Sequence, residues 1–318
     1  APGRCRPQAH QVPQTGPLMQ GSGYVGRFAP SPTGRLHMGS LIAALASWCD
    51  ARHRGGQWLV RMEDLDPPRE VPGAADDILS TLEGFGLTWD GSVRYQSKRQ
   101  EAYADALEML IAEGRAFGCA CTRKMLADHA VYPGTCKQGI PGGQDARSYR
   151  FIMPEQTIHW QDEIQGPQSA GQEMLDDFVV RRADGFWAYQ LAVVVDDVDQ
   201  GVNAVVRGAD LMDSTPGQMA LWDVLGAGRE AGHWGHLPLL VNAAGQKWSK
   251  QTLAEPLEVD RAPYLLMEAL QLLGQLPAGG AGEIQASAGV SSILSWAVDH
   301  WRMDRVPAGP LYWQGGQS

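Results

Sequence analysis

The sequence lacks any long apolar run. Of its 318 residues 44% are hydrophobic, yet no run approaches the ~20 apolar residues that a membrane-spanning helix needs. Residues 1–20, which are rich in Pro and Gln, contain no long apolar centre and do not fit a signal peptide. We therefore expect a soluble, cytoplasmic protein with no membrane partner, in which residues 1–22 form a flexible extension.

Cysteine and positive charge are also scarce. The chain has five cysteines, an odd count, and Cys119 and Cys121 lie too close together for a routine disulfide. This pattern favours a reducing compartment and a bound metal over disulfide bridges. The formal net charge of −10 argues against a general nucleic-acid coat, but it leaves room for tRNA binding through a local basic patch.

Strand and helix patterns alternate along the first part of the chain. Residues 23–29 and 57–62 have the apolar character of strands, and helical periodicity marks residues 38–53, 73–85 and 97–113. Alternation of this kind predicts an α/β fold with a parallel, Rossmann-like sheet. Ligands of such sheets bind at the carboxyl ends of the strands, where Arg27 to His37 and Glu63 would lie.

The later part of the chain is more irregular. Residues 114–145 contain three cysteines and many Gly and Pro residues, which indicates an inserted subdomain. Tyr189 to Val195 is predicted as a buried strand, and an apolar face at helical spacing is formed by Leu265, Leu266, Ala269, Leu270 and Leu273. The expected organisation after the extension is a catalytic domain in two halves (23–113 and 186–251), an insert (114–185) and a short helical region (252–318).

Two distant segments carry the strongest chemical signal. Residues 27–40 read Arg-Phe-Ala-Pro-Ser-Pro-Thr-Gly-Arg-Leu-His-Met-Gly-Ser, and residues 246–250 read Gln-Lys-Trp-Ser-Lys. A small glycine beside His37 at a helix start suits a nucleotide, because free backbone N–H groups and the helix dipole attract phosphate. Lys247 and Lys250 could neutralise the same phosphates from the other side.

Together these segments resemble the two ATP-binding signatures of class I aminoacyl-tRNA synthetases, and the proline-rich run is similar to the glutamyl/glutaminyl branch. Ser40 stands where the class often has a second His, and Trp248 stands where Met or Leu is usual. The resemblance implies that His37, Lys247 and Lys250 act in catalysis. It implies an ATP site formed by His37, Gly39, Ser40, Lys247, Ser249 and Lys250.

An amino acid with an acidic side chain needs cations for that side chain and an anion for its ammonium group. Arg27 and Arg207 are candidates for the first role, Glu63 for the second, and Tyr189 for an added hydroxyl donor. Each also has an ordinary structural explanation, such as a surface ion pair between Arg207 and Asp210. The resemblance favours the functional one and implies a glutamate site of Arg27, Phe28, Ala29, Pro30, Ser31, Glu63, Tyr189 and Arg207.

Cys119, Cys121 and Cys136 suggest a structural metal site, for which zinc is the default with thiolate ligands. By general ligand preference His129 would be the fourth ligand. The resemblance instead favours Tyr132, because Tyr132-Pro-Gly-Thr-Cys136 is similar to a Cys-x-Cys…Tyr-x-x-x-Cys site of glutamyl-queuosine enzymes. His233 and His236 have metal-like spacing but no evident companion, so we expect both to be structural.

The resemblance is strongest to the short glutamyl-Q tRNA(Asp) synthetases, since only 68 residues follow Lys250 and a helical anticodon-binding domain needs more. It implies activation of L-glutamate by ATP with Mg²⁺. The glutamyl group would pass to the queuosine base at the wobble position of tRNA(Asp), and we expect a monomer.

Three alternatives remain at this point. The first is a truncated glutamyl-tRNA synthetase that charges tRNA(Glu), and the second is a relative that binds adenylates without tRNA. The third is a dehydrogenase, because Gly21 to Gly26 match the dinucleotide fingerprint letter for letter. That fingerprint must follow a strand and open a helix; here it precedes a predicted strand, so we expect a linker.

Overall fold

The computed structural model describes residues 23–171, 174–226, 232–242, 245–246, 255–276 and 284–313. The predictions made for residues 1–22 and for the lysine segment lie outside these ranges. That segment comprises Lys247, Trp248, Ser249, Lys250 and Gln251.

Helices and strands alternate through most of the described chain. The helices are α1 (Met38–His53), α2 (Ala74–Gly84), α3 (Gln100–Ala112), α4 (Tyr189–Asp199), α5 (Thr215–Leu225), α6 (Ala262–Leu272) and α7 (Gly289–His300). The strands are β1 (Val25–Phe28), β2 (Gln57–Met62), β3 (Arg94–Tyr95), β4 (Ala116–Cys119), β5 (Ser148–Phe151), β6 (Ile158–Asp162), β7 (Gly166–Ala170), β8 (Val179–Arg181), β9 (Ala204–Gly208), β10 (His233–Leu237), β11 (Leu240–Val241) and β12 (Leu311–Tyr312). Among the described helices, none has the length and apolarity to cross a membrane.

The main sheet has seven strands in the order β3-β2-β1-β9-β10-β6-β7. All neighbours are parallel except β6 and β7, which form an antiparallel hairpin at one edge. The predicted parallel α/β sheet is therefore confirmed. The chain runs from β1 outward to β2 and β3 on one side and continues through β9 and β10 on the other. Strand order thus reverses beside β1, which is where open sheets of this kind form a ligand crevice.

Hydrophobic packing covers both faces of this sheet. Neighbouring residues of a strand point to opposite faces, and Val205 and Val206 of β9 enter two different clusters. One cluster contains the apolar sides of α1, α6 and α7, and the other contains those of α3, α4 and α5. The apolar face predicted for α6 is buried as expected. A three-layer sandwich therefore holds the strand ends in place.

The region predicted as an insert is divided between two sheets. Strands β4, β5 and β8 form a separate three-stranded antiparallel sheet. The β6–β7 hairpin from the same region instead extends the main sheet beyond β10. The Gly-rich segment that resembles a dinucleotide fingerprint leads directly into β1 at Val25, not into a helix. Within the described part of that segment, Gly23 and Tyr24 precede the strand as the expected linker would, whereas Val25 and Gly26 belong to β1 itself.

The strand predicted for Tyr189 to Val195 is wrong, because these residues form the first turns of α4. Valine-rich runs favour strands in isolation, and a short apolar run cannot be assigned by periodicity alone. Here burial decides the conformation: α4 packs against α3 and α5 in the core. Leu191 and Val194 lie in the apolar cluster, while Asp196 and Asp197 on later turns bind buried polar partners.

Candidate active site

The predicted glutamate site lies at the carboxyl ends of three neighbouring strands. Arg27 is on β1, Glu63 directly follows β2, and Arg207 is near the end of β9. The Glu63 amide donates to the Pro30 carbonyl at 2.9 Å, which ties the loop after β1 to the end of β2. The strand order places these side chains around one crevice.

A buried ion cluster occupies the floor of this crevice. Asp197 of α4 receives Arg27 Nε at 3.3 Å and Arg61 Nη1 at 2.6 Å, and all three side chains are almost completely buried. Burial alone would raise the pKa of Asp197, but the Arg27 and Arg61 guanidinium groups outweigh it and lower that pKa. Asp197 is therefore ionised and holds both arginines in position. Neither Arg61 nor Asp197 was identified from the sequence.

Glu63 is the titratable carboxylate of the crevice. Its side chain is only 9% exposed, and Oε1 lies 3.5 Å from Arg61 Nη2 without a hydrogen bond to any described group. Burial raises the pKa of Glu63 to about 7, against the opposing effect of Arg61 and Arg27. A buried acceptor that lacks a donor is suited to a ligand with N–H groups.

Arg207 is buried and is not the surface ion pair that its sequence neighbourhood allowed. Its Nη1 donates to Gln218 at 2.6 Å, Nη2 donates to Thr215 at 2.9 Å, and Nε donates to His236 Nε2 at 3.1 Å. Burial lowers the pKa of Arg207 from its ordinary value, but an arginine stays charged at neutral pH. Its cation is therefore fixed within the protein interior.

His236 and Asp162 extend this arrangement. The sequence pattern predicts a structural His236 without a companion, and it does not identify Asp162. His236 Nδ1 lies 2.5 Å from Asp162 Oδ2, and both side chains are fully buried. Burial and the nearby Arg207 charge lower the pKa of His236, and the hydrogen bond with Asp162 offsets only part of this effect. The two residues are separated by 74 positions, so local spacing could not have paired them.

The other predicted glutamate-binding residues lie around the same crevice, with one exception. Tyr189 is at the first turn of α4, where burial and the Glu63 charge raise its pKa. Ala29, Pro30 and Ser31 form the loop after β1. The Phe28 ring instead stacks on Trp58 in the core at 6.2 Å, on the face of the strand opposite to Arg27.

The first ATP signature forms the start of α1. His37 is the N-cap residue, and its Nδ1 accepts from the Ser40 amide at 3.4 Å, which places the proton of a neutral ring on Nε2. A Cβ atom on Gly39 would lie 3.1 Å from His37 Cε1, so glycine allows the ring to sit over the helix start. Pro256 forms an isolated bridge with His37, and Lys250 is six residues before Pro256 in the chain.

Three cysteines form a second candidate site at the end of β4. The sulfur atoms of Cys119, Cys121 and Cys136 lie within 4.8 Å of one another and could hold one metal ion. The Tyr132 hydroxyl lies 3.5 Å from Cys119 Sγ and 3.9 Å from Cys121 Sγ. His129 is exposed and contributes no atom to this group.

Comparison with known proteins places this geometry in a family. Residues 24–132 and 136–304 match the catalytic domain of class I tRNA synthetases (E and Q). A glutamyl-Q tRNA(Asp) synthetase of Chromobacterium violaceum is 54% identical over 297 residues, which cover 91% of this chain and 97% of that relative. A glutamyl-Q tRNA(Asp) synthetase of Dechloromonas aromatica is 53% identical over 300 residues, which cover 91% of this chain and 98% of that relative. The chain belongs to the glutamyl-Q tRNA(Asp) synthetase family.

The resemblance to glutamyl-Q tRNA(Asp) synthetases that the sequence shows is therefore confirmed at the level of the family. A glutamate-tRNA synthetase of Elizabethkingia anophelis shares the fold with a TM-score of 0.76. The match covers 92% of this chain and 68% of that structure at 23% identity. A class I synthetase catalytic domain is therefore confirmed as the fold.

Proposed function

We propose that the protein activates L-glutamate with ATP and transfers the glutamyl group to the queuosine base at the wobble position of tRNA(Asp). The observation that carries glutamate as the substrate is the buried charge cluster at the carboxyl ends of the strands, and the acceptor is supported by the names of the relatives. Arg27, Arg61 and Arg207 face Glu63 and Asp197 there. With both acids ionised the cluster has one excess positive charge, which one acidic amino acid would neutralise.

Each charge has a specific partner in glutamate. Arg27 and Arg207, with the Tyr189 hydroxyl, would bind the side-chain carboxylate by charge-assisted hydrogen bonds. Glu63 would receive the ammonium group, because its Oε1 is buried and accepts no hydrogen bond from the described residues, with Arg61 Nη2 3.5 Å away. The loop from Ala29 to Ser31 would contact the substrate through its main chain. The crevice thus favours a dicarboxylic amino acid over a neutral one.

In the first step an oxygen of the α-carboxylate attacks the α-phosphorus of ATP, and the bond to pyrophosphate breaks. Positioning and cations on the leaving group supply most of the catalysis in such transfers. The Nε2–H of His37 and the main chain at Gly39 and Ser40 would bind phosphate at the start of α1. Lys247, Ser249 and Lys250, with Mg²⁺, would neutralise the departing pyrophosphate.

In the second step a hydroxyl oxygen of the queuosine ring attacks the carbonyl carbon of glutamyl-adenylate. The new ester bond forms as the bond to AMP breaks, and the hydroxyl proton is released. The mixed anhydride is already reactive, so no side-chain nucleophile is required. The names of the relatives support tRNA(Asp) as the acceptor.

We further propose that the cysteine site binds one structural zinc ion, with Tyr132 as the fourth ligand. Tetrahedral zinc with Zn–S bonds of about 2.3 Å separates two sulfur ligands by about 3.8 Å, and a sulfur from an oxygen ligand by about 3.5 Å. Cys121 and Cys136 sulfurs are 3.7 Å apart, and Tyr132 Oη is 3.5 Å from Cys119 Sγ. The Arg150 guanidinium lies 4.1 Å over the Tyr132 ring, a cation–π contact that helps to fix this side chain beside the cysteines.

The decisive experiment is ATP-dependent transfer of labelled glutamate to purified tRNAs. Queuosine-containing tRNA(Asp), tRNA(Asp) without queuosine and tRNA(Glu) are compared under identical conditions. We expect label on the queuosine-containing tRNA(Asp) alone. Label on tRNA(Glu) would instead identify a minimal glutamyl-tRNA synthetase, and label on none of the three would refute the transfer step.

A further inference from the structure

A continuous line of hydrogen bonds crosses three neighbouring strands behind the glutamate site. Arg207 is paired in register with His236 on the adjacent strand β10, and Asp162 ends the next strand, β6. Arg207 Nε donates to His236 Nε2 at 3.1 Å, and His236 Nδ1 lies 2.5 Å from Asp162. All three side chains are buried, so solvent cannot replace a lost partner.

The donors in this line fix the tautomer of His236. A guanidinium group has only donors, so His236 Nε2 must accept from Arg207 and cannot carry a proton. The proton of the neutral ring therefore lies on Nδ1 and is donated to the Asp162 carboxylate. The Thr215 hydroxyl accepts from Arg207 Nη2 at 2.9 Å and lies 3.1 Å from the same His236 nitrogen, which fits this assignment.

The same contacts determine what Arg207 can offer a substrate. A guanidinium has five N–H donors, and four of them are directed to His236, Gln218, Thr215 and the Leu211 carbonyl. Among the described residues, nothing accepts the fifth, which is on Nη1. Gln218 is itself held by Gln190 at 2.7 Å. The guanidinium plane is therefore fixed with a single N–H left for a ligand.

We propose that Asp162 and His236 are positioning residues that orient Arg207 for the side-chain carboxylate of glutamate. Asp162 stabilises the His236 tautomer with its proton on Nδ1, so that His236 Nε2 is free to accept from Arg207 Nε. This hydrogen bond orients the guanidinium plane and therefore the remaining N–H on Arg207 Nη1. This proposal rests on the proposed function, in which Arg207 binds glutamate. It assigns a role in substrate affinity to a buried pair that touches no substrate.

Asp162→Asn tests the tautomer with almost no change in shape. Asp162 Oδ1 accepts the backbone N–H groups of Ile164, Gln165 and His236 at 3.0, 2.8 and 3.2 Å. The asparagine oxygen must keep that place, so the amide nitrogen must face His236 Nδ1. An amide N–H group facing His236 Nδ1 requires that nitrogen to accept, so the ring proton moves to Nε2. Two N–H groups, His236 Nε2–H and Arg207 Nε–H, then face each other, and the hydrogen bond between these residues is lost.

The measurement is the KM for glutamate in glutamate-dependent ATP–pyrophosphate exchange, with and without tRNA, together with the ¹⁵N spectrum of the His236 ring. We expect Asp162→Asn to raise the glutamate KM by about tenfold to a hundredfold, the usual effect of a lost hydrogen bond to a charged group. The KM for ATP should not change, and the spectrum should show the Nε2–H tautomer. An unchanged glutamate KM in a variant with the Nε2–H tautomer, or a variant that keeps the Nδ1–H tautomer, would overturn the proposal.

The chain contains a matched control in the residue that directly follows β6. Glu163 Oε1 lies 2.7 Å from His233 Nδ1 on β10, a second acid–histidine pair beside Asp162 and His236, but this pair is partly exposed and does not contact Arg207. Glu163→Gln should therefore leave the glutamate KM unchanged. A rise equal to that in Asp162→Asn would show that any change at this edge of the sheet has the same effect on the glutamate KM. It would overturn the proposed positioning role of Asp162 and His236.

A second pair of variants covers the case in which Asp162→Asn does not fold. His236→Gln and His236→Met have similar volumes, but only glutamine offers an oxygen to Arg207 Nε. We expect a glutamate KM about tenfold lower in the glutamine variant than in the methionine variant. Equal KM values in the two variants would overturn the proposed positioning role of His236. Absence of glutamate-dependent exchange in the wild-type protein would refute the proposed function. If the wild-type protein catalyses glutamate-dependent exchange and the Asp162 and His236 variants keep its glutamate KM, only the positioning role of these two residues is refuted.

Discussion

Glutamate binding should depend on the ionisation of Glu63 near neutral pH. This carboxylate is the proposed partner of the substrate ammonium group, and burial raises its pKa to about 7, above the ordinary value of 4.5. Only the ionised form can pair with an ammonium group. A raised pKa means that the proton is lost as pH rises through 7, so affinity for glutamate should increase over that range.

The size of the effect follows from this pKa. With a pKa of about 7, about a tenth of Glu63 is ionised at pH 6 and about nine tenths at pH 8. The KM for glutamate should therefore fall about tenfold between pH 6 and pH 8. At pH 7 half of the carboxyl groups carry a proton, so binding should release about half a proton per glutamate.

Two assays test this expectation independently. The first is glutamate KM in pyrophosphate exchange at saturating ATP from pH 6 to 8, where the carboxylates and the ammonium group of glutamate do not titrate. The second is calorimetry of glutamate binding at pH 7 in buffers of different ionisation enthalpy. Glu63→Gln imitates the protonated form and should show a raised, pH-independent KM with no proton release. Asp64→Asn is the control, because Asp64 bonds Ser97 instead of facing the crevice cluster.

A flat KM profile in the wild-type protein would refute the assigned role of Glu63. The same conclusion would follow if Glu63→Gln kept the wild-type pH dependence, since another group would then be responsible. Proton release by Glu63→Gln equal to that of the wild type would likewise exclude this carboxylate as the source.

Three further predictions concern the remaining site residues. Wild-type protein should contain about one zinc per chain by elemental analysis; Cys121→Ala should lose it, Cys49→Ala in α1 should keep it, and metal-free wild-type protein would contradict the site. Lys250→Ala should slow pyrophosphate exchange by about 100-fold or more with an unchanged circular dichroism spectrum, and normal exchange would remove its role on the leaving group. Arg207→Ala should raise the glutamate KM by about tenfold to a hundredfold at constant ATP KM, whereas an unaltered glutamate KM would contradict its assignment.

The parts of the site that could be predicted from the sequence are those next to strand ends. Arg27 lies near the end of one apolar run that is readable as a strand and Glu63 directly follows another, and parallel strands bring such residues to one edge. His37 and Gly39 mark a helix start in the same local way. The family resemblance then supplied Arg207 and Tyr189, whose local sequence alone allowed ordinary structural roles. Local pattern and resemblance together therefore gave the residues that face the crevice.

The supporting residues could not be predicted, because long-range pairing defines them. Asp162 and His236 become partners only through the register of β6, β9 and β10. Arg61 is in a strand whose apolar character gives no sign of a buried arginine, and its partner Asp197 lies 136 positions away. Buried ions of this kind need partners with good geometry, and that geometry exists only in the folded chain.

The misassigned segment shows how closely secondary structure and chemistry are linked here. Tyr189 and Asp197 are eight residues apart, which is about 12 Å along a helix at 1.5 Å per residue. As a strand, the same residues would be about 26 Å apart at 3.3 Å per residue, too far for both to reach one crevice. The Glu63 charge raises the pKa of Tyr189 and the Arg207 charge lowers it, so Tyr189 lies near both groups, while Asp197 binds Arg27. The helical form of α4 therefore brings Tyr189 and Asp197 to the same charge cluster, which a strand running through both residues would not do.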